Sequence, residues 1–402
     1  MSTGPTVSVV IPTFNQAEEL AATLHTLAAQ QGAGDFEVIV SDDGSSDGTA
    51  ELVRSFADRL DIRYCWQPDR GFRAAAARNA GARLASAPAL VFLDTGTLAG
   101  PGFVAGHRDL LASASTAVIG YAYGYQPWSD GSELAVALRT MTPRDVVERH
   151  PDAPWIRDWR DELFDPLHVD LGTLAAPWLL YQGMNCSVRT EDFRAIGGYD
   201  EDFRHWGVDD IEMGFRLHRR GVRFRVGTEA WAMEMPGPRD MGWRLQDVKH
   251  NGWYFLEKYR EPVAEILWRN LMLEAIWPVE DEYRAVLEHT ERTRDLVVHD
   301  ELAAAVEDFG LAGQRVAVFG CGARLPPALR DGTLVDYDAA AIAETGRAGH
   351  HAIGLRTPLA DRSHDAVVIT SRLAGLWSRF GAMVRAEAQR VAPLVLGPAG
   401  SA

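Results

Sequence analysis

The sequence predicts an α/β protein with a mostly parallel central sheet, flanking helices and a smaller α/β unit near the C-terminus. In the first hundred residues, short β-branched runs alternate with segments whose apolar residues recur at helical spacing. A second strand pattern, followed by Gly320-Cys321-Gly322, begins near residue 316. Alternating strands and helices favour a parallel sheet that is covered by helices on both faces.

The elements of the first hundred residues can be placed in order. We predict strands at 7–11, 36–40, 62–66 and 89–93, and helices at 18–30, around 52–56 and at 74–85. Asp47 has the position and chemistry of an N-cap for the second of these helices. Further along, an apolar helix at 266–276 should end at Pro278, and charged helices should follow at 280–291 and 300–309.

Composition excludes several classes of protein. The 402 residues are 47% hydrophobic, which is enough to build two cores. The three cysteines are widely separated, so neither a disulfide framework nor a zinc site is indicated. A formal net charge of −16 opposes binding to nucleic acid.

Membrane insertion and export are not expected either. No apolar stretch approaches the roughly 20 residues that a membrane-spanning helix needs. The N-terminus also lacks basic residues before its apolar run. We therefore expect a cytoplasmic protein without a transmembrane segment.

Four motifs in the first hundred residues carry a resemblance to a known family. They are Val7-Ser8-Val9-Val10-Ile11-Pro12-Thr13-Phe14-Asn15, Ser41-Asp42-Asp43-Gly44-Ser45-Ser46-Asp47-Gly48-Thr49, Arg78-Asn79-Ala80-Gly81 and Phe92-Leu93-Asp94. In this order and spacing they resemble the family 2 glycosyltransferases, which have the GT-A fold. The resemblance extends over roughly residues 5–260. It implies a nucleotide-diphosphate sugar as the donor.

The resemblance also implies which residues bind the donor. Those expected at the donor are Pro12, Phe14, Asp42, Asp43, Arg78 and Asp94. Arg73 and Arg70 are near Arg78 in sequence, so we also expect a cationic cluster that faces the diphosphate. Asp42 or Asp43 would accept a hydrogen bond from the nucleobase, and Arg78 would lie near the base or the diphosphate. An acceptor at a strand end can read a base, because leaving a buried acceptor unpaired is costly. The alternatives are that the Asp-Asp-Gly-Ser run is only a turn and that Arg78 is a solvated cation.

A second motif is expected to bind the acceptor. Trp206-Gly207-Val208-Asp209-Asp210 resembles the Trp-Gly-Gly-Glu-Asp segment of β1,4-galactosyltransferases, polypeptide N-acetylgalactosaminyltransferases and chondroitin-polymerase-like enzymes. The match implies that Asp210 is the base of an inverting transfer and that Asp209 binds acceptor hydroxyls. Trp206 would stack on a sugar, or else belong to the core.

Two further features of this region have alternative interpretations. Asp209 with Glu212 three residues later also fits a helix capping box. Gly183 and Asn185 indicate a close backbone approach to the donor sugar, or alternatively a turn.

Metal binding is the point where the chain departs from its relatives. GT-A enzymes commonly hold a divalent cation through the last acid of an Asp-x-Asp motif, and this chain has Gly96 there. A later segment carries two histidines in many relatives, but here Ala232 and Met235 replace them. Asp94 with the donor diphosphate, or Glu234 as a substitute, remain the candidate ligands for magnesium or manganese. The losses favour weak metal dependence or none, with arginine and lysine groups neutralising the diphosphate.

The C-terminal part resembles a shortened S-adenosylmethionine-dependent methyltransferase core. Gly320-Cys321-Gly322 follows a strand, and Asp336 ends the next one, where a ribose-binding acid would lie. Only about ten residues separate these glycines from the next strand, which is too short for the usual crossover helix. We therefore expect a degenerate module that binds a partner or sets the oligomeric state, and we do not expect S-adenosylmethionine to bind.

These observations define an expected domain plan and function. The plan is a GT-A domain at 1–260, with a donor half at 1–100 and an acceptor half at 101–260, a helical linker at 261–309 and the module at 310–402. The expected function is transfer of a sugar to a hydroxyl of a small molecule, glycan or peptide, with inversion. The alternatives are a catalytically impaired sugar-nucleotide-binding scaffold and a bifunctional glycosyltransferase-methyltransferase.

Overall fold

A computed structural model describes residues 4–112, 115–126, 129, 131–164, 170–237 and 241–397. The chain forms two compact units, Met1–Asn251 and Gly252–Ala402. Each unit has its own sheet.

The first unit is built on an eight-stranded sheet in the spatial order β3-β2-β1-β4-β7-β6-β8-β5. The strands are β1 (Val7–Thr13), β2 (Phe36–Asp42), β3 (Ile62–Trp66), β4 (Ala89–Leu93), β5 (Thr97–Ala99), β6 (Thr116–Tyr123), β7 (Asn185–Arg189) and β8 (Arg223–Glu234). β1 to β4 are parallel, whereas β7 runs antiparallel to both of its neighbours, β4 and β6. The mostly parallel α/β architecture expected from the sequence is confirmed.

Helices and short 3₁₀ turns connect these strands. The α-helices are α1 (Ala17–Leu27), α2 (Thr49–Arg54), α3 (Ala74–Leu84), α4 (Phe103–Leu111), α5 (Ser132–Leu138), α6 (Pro143–Arg149), α7 (Asp161–Phe164), α8 (Thr190–Ala195), α9 (Asp209–Arg219) and α10 (Met241–Tyr259). The 3₁₀ turns are Pro154–Ile156 and Pro177–Leu180. The predicted strands at 62–66 and 89–93 are confirmed, and β2 extends two residues beyond its predicted end.

One predicted cap is wrong. The N-cap of α2 is Gly48, in a left-handed conformation with φ of 90°, although the Asp47 carboxylate accepts the Thr49 N–H at 3.3 Å. Asp47 instead accepts hydrogen bonds from the Ala17 N–H at 2.9 Å and the Thr49 hydroxyl at 2.6 Å. Its carboxylate therefore joins the loop after β1 to the loop after β2.

Apolar side chains on both faces of the sheet explain why helices cover it. Val9 and Ile11 of β1 share a buried cluster with Leu20 and Leu24 of α1. On α3, a Cβ built at Gly81 would lie only 2.5 Å from the β1 side chain of Val10, so this helix packs very closely on the sheet. Residues that follow parallel strands meet at one edge, which brings the segments after β1, β2 and β4 together.

The second unit contains a five-stranded, all-parallel sheet in the order β11-β10-β9-β12-β13. Its strands are β9 (Val316–Phe319), β10 (Thr333–Asp336), β11 (His350–His351), β12 (Ala366–Ile369) and β13 (Leu394–Leu396). Its α-helices are α11 (Pro262–Met272), α12 (Pro278–Thr293), α13 (His299–Phe309), α14 (Ala339–Glu344) and α15 (Trp377–Val391), with 3₁₀ turns at Pro327–Leu329 and Ser371–Leu376. α11 ends before the predicted 276, and a new helix begins at Pro278.

The segment 261–309, expected to be a linker, packs inside the second unit. Val298 and Leu302 belong to the same buried cluster as Val316 of β9. Glu265 of α11 is buried, and its carboxylate accepts backbone hydrogen bonds from residues 353–356. Burial raises the pKa of Glu265 to about 7, although these N–H groups favour its charged form. Apolar packing and this carboxylate join the helices to the sheet.

No helix in the described ranges is both long and apolar enough to cross a membrane.

A fully buried ion pair follows the 3₁₀ turn Pro154–Ile156. Arg160 donates to both carboxylate oxygens of Asp158, at 2.8 and 2.6 Å, and neither side chain is exposed. The same guanidinium donates to the backbone oxygens of Leu180 at 3.0 Å and Gly120 at 3.1 Å. Arg160 therefore ties the start of the 181–184 loop to β6.

We expect Arg160→Met to destabilise the first unit by about 3–5 kcal/mol, because it leaves a buried carboxylate without its cation. Urea denaturation followed by tryptophan fluorescence measures this change. The matched control is Arg144→Met, which breaks an exposed pair with Glu148 and should cost less than about 1 kcal/mol. Equal unfolding midpoints for the two variants would contradict the role given to the buried pair.

Candidate active site

A buried arginine joins two carboxylates at the edge of the first sheet. Nη1 of Arg78 donates to Oδ2 of Asp209 at 2.8 Å, and Nη2 donates to Oδ1 of Asp94 at 2.9 Å. Arg78 is 6% exposed. Burial disfavours its charge, but Asp94, Tyr199 and Asp209 together hold the pKa of Arg78 well above its usual value. The cation therefore connects the end of β4 to the start of α9.

Gly183 lies against this guanidinium. A Cβ built at Gly183 would be 2.9 Å from Nη2 of Arg78, so a larger residue would displace the arginine. The Gly183 N–H donates to Oδ2 of Asp210 at 2.8 Å. The sequence predicts a close backbone approach at Gly183 toward a donor sugar, and the structure shows a close approach to Arg78.

The two acids that begin α9 differ in their surroundings. Asp209 is 5% exposed, whereas Asp210 is partly exposed. Burial raises the pKa of Asp209 to about 7, with Arg78 opposing the shift and Asp210 and Asp94 adding to it. Burial also raises the pKa of Asp210, while the N–H groups of Gly183 and Ile211 favour its charged form. One acid thus belongs to the ion network, and the other reaches solvent.

The capping-box interpretation of Asp209 does not fit the structure. The N-cap of α9 is Val208, and no side chain makes a cap hydrogen bond. The Asp209 carboxylate is directed to Arg78. Glu212 instead accepts two hydrogen bonds from Arg216, one turn later, at 2.8 and 2.7 Å.

The turn after β2 places its two aspartates differently. Asp42 accepts from the backbone of Gly44 and Ser45 through Oδ1 and from the Tyr64 hydroxyl through Oδ2, and it is 1% exposed. Its oxygens are thus bonded within the turn and to β3. The hydrogen bonds of Asp42 are therefore those of a turn residue, in agreement with the alternative interpretation of this motif.

Asp43 faces the segment that leads into α3. Its carboxylate accepts from the Gln67 amide at 2.6 Å, and from the Arg73 guanidinium and backbone N–H, both at 3.0 Å. Burial raises the pKa of Asp43, and Gln67 and Arg73 oppose the rise. Asp43 and Arg73 therefore form one polar cluster beside the end of β2.

The loop after β1 completes this side of the site. The Asp43 N–H donates to the Thr13 carbonyl at 2.9 Å, and Phe14, the next residue, is 41% exposed. Pro12 accepts a hydrogen bond from the Thr95 hydroxyl through its carbonyl at 2.9 Å. The exposed Phe14 ring therefore directly follows Thr13, whose carbonyl accepts the Asp43 N–H.

Asn185 does not reach the site surface. It is fully buried, and its amide donates to the carbonyls of Tyr121 and Ala230 at 3.1 and 2.9 Å. Its side-chain oxygen bonds to His107 at 2.9 Å. Burial lowers the pKa of His107 to about 4, with Asn185 opposing the shift. The Asn185 side chain therefore joins β7 to β6 and β8.

Two of the positions at which the family resemblance implies a metal, Gly96 and Met235, are joined by a hydrogen bond. Residues 94–97 form a tight turn, in which the Thr97 N–H donates to the Asp94 carbonyl at 3.1 Å. Gly96, within this turn, has φ of 82°. The Gly96 carbonyl accepts the Met235 N–H at 2.9 Å. A Cβ at Gly96 would point toward Glu19 of α1, 3.6 Å away.

The remaining candidates do not complete a metal site. Ala232 is fully buried in the main core cluster, and Met235 packs against a second apolar cluster. Glu234 lies across from Thr97 in the β5–β8 pairing. Across the described ranges, no group of three or more histidine, cysteine or carboxylate side chains could hold a metal ion. The residues present at these positions therefore do not fit the metal site of the relatives.

Trp206 is covered by a residue that the sequence analysis did not single out. The guanidinium carbon of Arg244 lies 4.9 Å from the centre of the Trp206 ring, and the Trp206 N–H donates to Asp247 at 3.0 Å. Both partners lie on α10, about forty residues away. Short-range patterns carry no information about such a contact, so no signal in this single sequence could have identified it.

The acid expected to bind ribose in the second unit has internal partners. Asp336 is fully buried and accepts from the backbone of Gly322 at 2.8 Å and Asp338 at 2.9 Å. Arg372, 1% exposed, donates to it at 3.2 Å and also to the carbonyl of Thr293. This acid is therefore bonded to the chain's own groups, and S-adenosylmethionine binding is not supported.

Family models match both halves of this site. The model "Glycosyl transferase family 2" matches residues 8–130, and "N-terminal domain of galactosyltransferase" matches residues 173–235. The first match contains Asp43, Arg78 and Asp94, and the second contains Gly183 and the Asp209-Asp210 pair.

Similar proteins carry related names. A "Validoxylamine A glucosyltransferase" of Streptomyces hygroscopicus subsp. jinggangensis is 41% identical over 98% of this chain and 97% of its own length. A "Chondroitin synthase" of Escherichia coli is 34% identical over 58% of this chain and 35% of its own length. Among solved structures, the mannosyltransferase PcManGT from Pyrobaculum calidifontis, in complex with GDP-Man and Mn²⁺, is 20% identical. It matches with a TM-score of 0.45, covering 77% of this chain and 81% of its own.

The full-length match to a glucosyltransferase and the two family models agree with the motifs and with the α/β architecture. The chain belongs to the family 2 glycosyltransferases, has the GT-A fold, and is a glycosyltransferase.

Proposed function

We propose that this enzyme transfers a glucosyl group from a nucleoside-diphosphate glucose to a hydroxyl of validoxylamine A or a closely similar acceptor, with inversion and with Asp210 as the base. The glucosyl group and the acceptor are proposed from the printed name of the 41% identical relative. The observation that carries the mechanism is the partly exposed Asp210 carboxylate, held by the Gly183 N–H at 2.8 Å.

The chemistry requires one base. As the acceptor oxygen forms its bond to the anomeric carbon, its proton passes to Asp210. The bond from that carbon to the diphosphate oxygen breaks, and the diphosphate leaves with the electron pair. A base works best when its pKa is near the working pH, and burial raises the pKa of Asp210 above that of an ordinary aspartate. The N-terminus of α9 also favours a carboxylate there.

Asp209 has a supporting role in this proposal. It is buried and bonded to Arg78, so it fixes the start of α9 instead of contacting the acceptor. Asp94, whose carboxylate is 37% exposed, remains available to the donor ribose or diphosphate. Arg78 binds both Asp209 and Asp94, and it therefore holds the donor and acceptor sides of the site together.

The donor base is proposed to bind beside Asp43, Arg73 and Phe14. Asp43 would accept a base N–H, and the exposed Phe14 ring offers a stacking surface. Arg70, exposed and three residues before Arg73, adds positive charge for the diphosphate.

We expect the wild-type enzyme to convert validoxylamine A to a glucosylated product with one of a panel of nucleoside-diphosphate glucoses. Asp210→Asn should lower turnover by at least about 1,000-fold, because no base then accepts the proton. Its affinity for the matching nucleoside diphosphate, measured by calorimetry, should stay within about threefold. Mass spectrometry of the product and NMR of its anomeric configuration provide the readout.

The matched control for this variant is Asp202→Asn, an exposed carboxylate paired with Arg204, which should retain activity. Substantial turnover by Asp210→Asn would refute the base assignment. Retention of configuration would refute inversion.

Arg78→Met should move the acidic limb of the pH profile of kcat/KM to higher pH. The Arg78 charge lowers the pKa of both Asp209 and Asp210, so its removal raises them and the base ionises only at higher pH. Arg78→Lys keeps the charge and should shift the limb less. An acidic limb that stays at the wild-type pH in Arg78→Met would show that this cation does not tune the base.

Activity should persist in a chelator such as EDTA, because the residues at the family's metal positions do not fit a cation. Gly96→Asp should not create manganese dependence, since residue 96 has positive φ and its side chain would point at Glu19. The strain should cost about 1–2 kcal/mol of stability, measured as a lower melting temperature. A tenfold loss in EDTA that manganese restores would contradict metal independence.

A further inference from the structure

We propose that Asp247 and Asn251 of α10 are positioning residues for the base motif. They form a clasp, here called the α10 clasp, on the segment 205–207 that leads into α9. The proposal rests on the function proposed for Asp210, and it concerns how that carboxylate is aimed.

The segment that aims the base has an unfavourable backbone. Gly207 has φ of 84° and Val208 has φ of 71°, so two successive residues are left-handed immediately before Asp209. A β-branched residue at positive φ is a clear outlier, because its Cβ approaches the backbone too closely. Such a conformation persists only when the surrounding structure enforces it.

Helix capping at the start of α9 does not enforce this backbone conformation. Its N-cap residue is Val208, which has no polar side chain, and no side chain makes a cap hydrogen bond. The restraint has to come from contacts that are distant in sequence.

The α10 clasp supplies these contacts. Asp247 accepts from the Trp206 N–H at 3.0 Å and is 3.1 Å from Nδ1 of His205. Asn251, 1% exposed, donates to the carbonyls of His205 at 2.8 Å and Gly207 at 2.6 Å. Four hydrogen bonds from one helix face therefore hold three consecutive residues.

Packing reinforces the clasp. A Cβ built at Gly207 would lie 3.0 Å from Cγ2 of Val248, so α10 closely approaches the backbone at this glycine. Because the clasp fixes 205–207 and Val208 connects directly to α9, the direction of the Asp210 carboxylate depends on α10. Loss of the clasp should let Val208 relax to negative φ and turn the base away.

The test compares Asp247→Ala with Asp247→Asn, which keeps one acceptor, and with Gln246→Ala, an exposed neighbour on the same helix. We expect Asp247→Ala to lower kcat by about 10- to 100-fold, Asp247→Asn to lower it less, and Gln246→Ala to leave it unchanged. Nucleoside-diphosphate affinity should stay within about threefold in all three variants, because the donor side lies on β1, β2 and β4.

A second substitution separates positioning from general stability. Glycine adopts positive φ without strain, so Val208→Gly in the Asp247→Ala background should restore at least about fivefold of the lost kcat. A merely structural role for Asp247 would lower the melting temperature without this rescue.

Unchanged kcat in Asp247→Ala, or no rescue by Val208→Gly, would overturn the proposal. An active Asp210→Asn enzyme would instead refute the proposed base. The two failures are therefore distinguishable in one set of assays.

Discussion

The site depends on a single buried cation. Arg78 comes from α3, and it binds Asp94 at the end of β4 and Asp209 at the start of α9. Removing one partner of such a buried network is strongly destabilising, because a charge then remains without compensation. The close packing of α3 at Gly81 sets the depth of this helix on the sheet, and Gly183 leaves room for the guanidinium. The two halves that the family models match separately are joined through this arginine.

Two pairs of adjacent acids in the first unit are distinguished by their hydrogen-bond partners. Asp209 and Asp210 are adjacent in sequence, yet one is bonded to the arginine and the other to the Gly183 N–H and solvent. Asp42 and Asp43 repeat this division, since Asp42 is bonded within its own turn while Asp43 faces Gln67 and Arg73. In each pair, two adjacent acids therefore have different hydrogen-bond partners.

The changed metal positions also form one structural feature. Gly96 and Met235 are joined by a backbone hydrogen bond, and Ala232 belongs to the core beside them. The three positions are therefore linked in the structure: Gly96 has positive φ, a Cβ there would point to α1, and Ala232 and Met235 pack in apolar clusters.

From the sequence, we could predict the α/β architecture, the strands β1 to β4 and the family. Those features follow from hydrophobic periodicity and from motifs whose residues are close together, such as Asp42-Asp43 and Asp209-Asp210. Three-dimensional contacts were needed to show that Asn185 bridges strands, that Asp209 is not a helix cap, that 261–309 packs within the second unit and that α10 holds Trp206. Each of these depends on a contact between residues far apart in the chain, and local spacing does not encode which distant group satisfies a buried charge or amide.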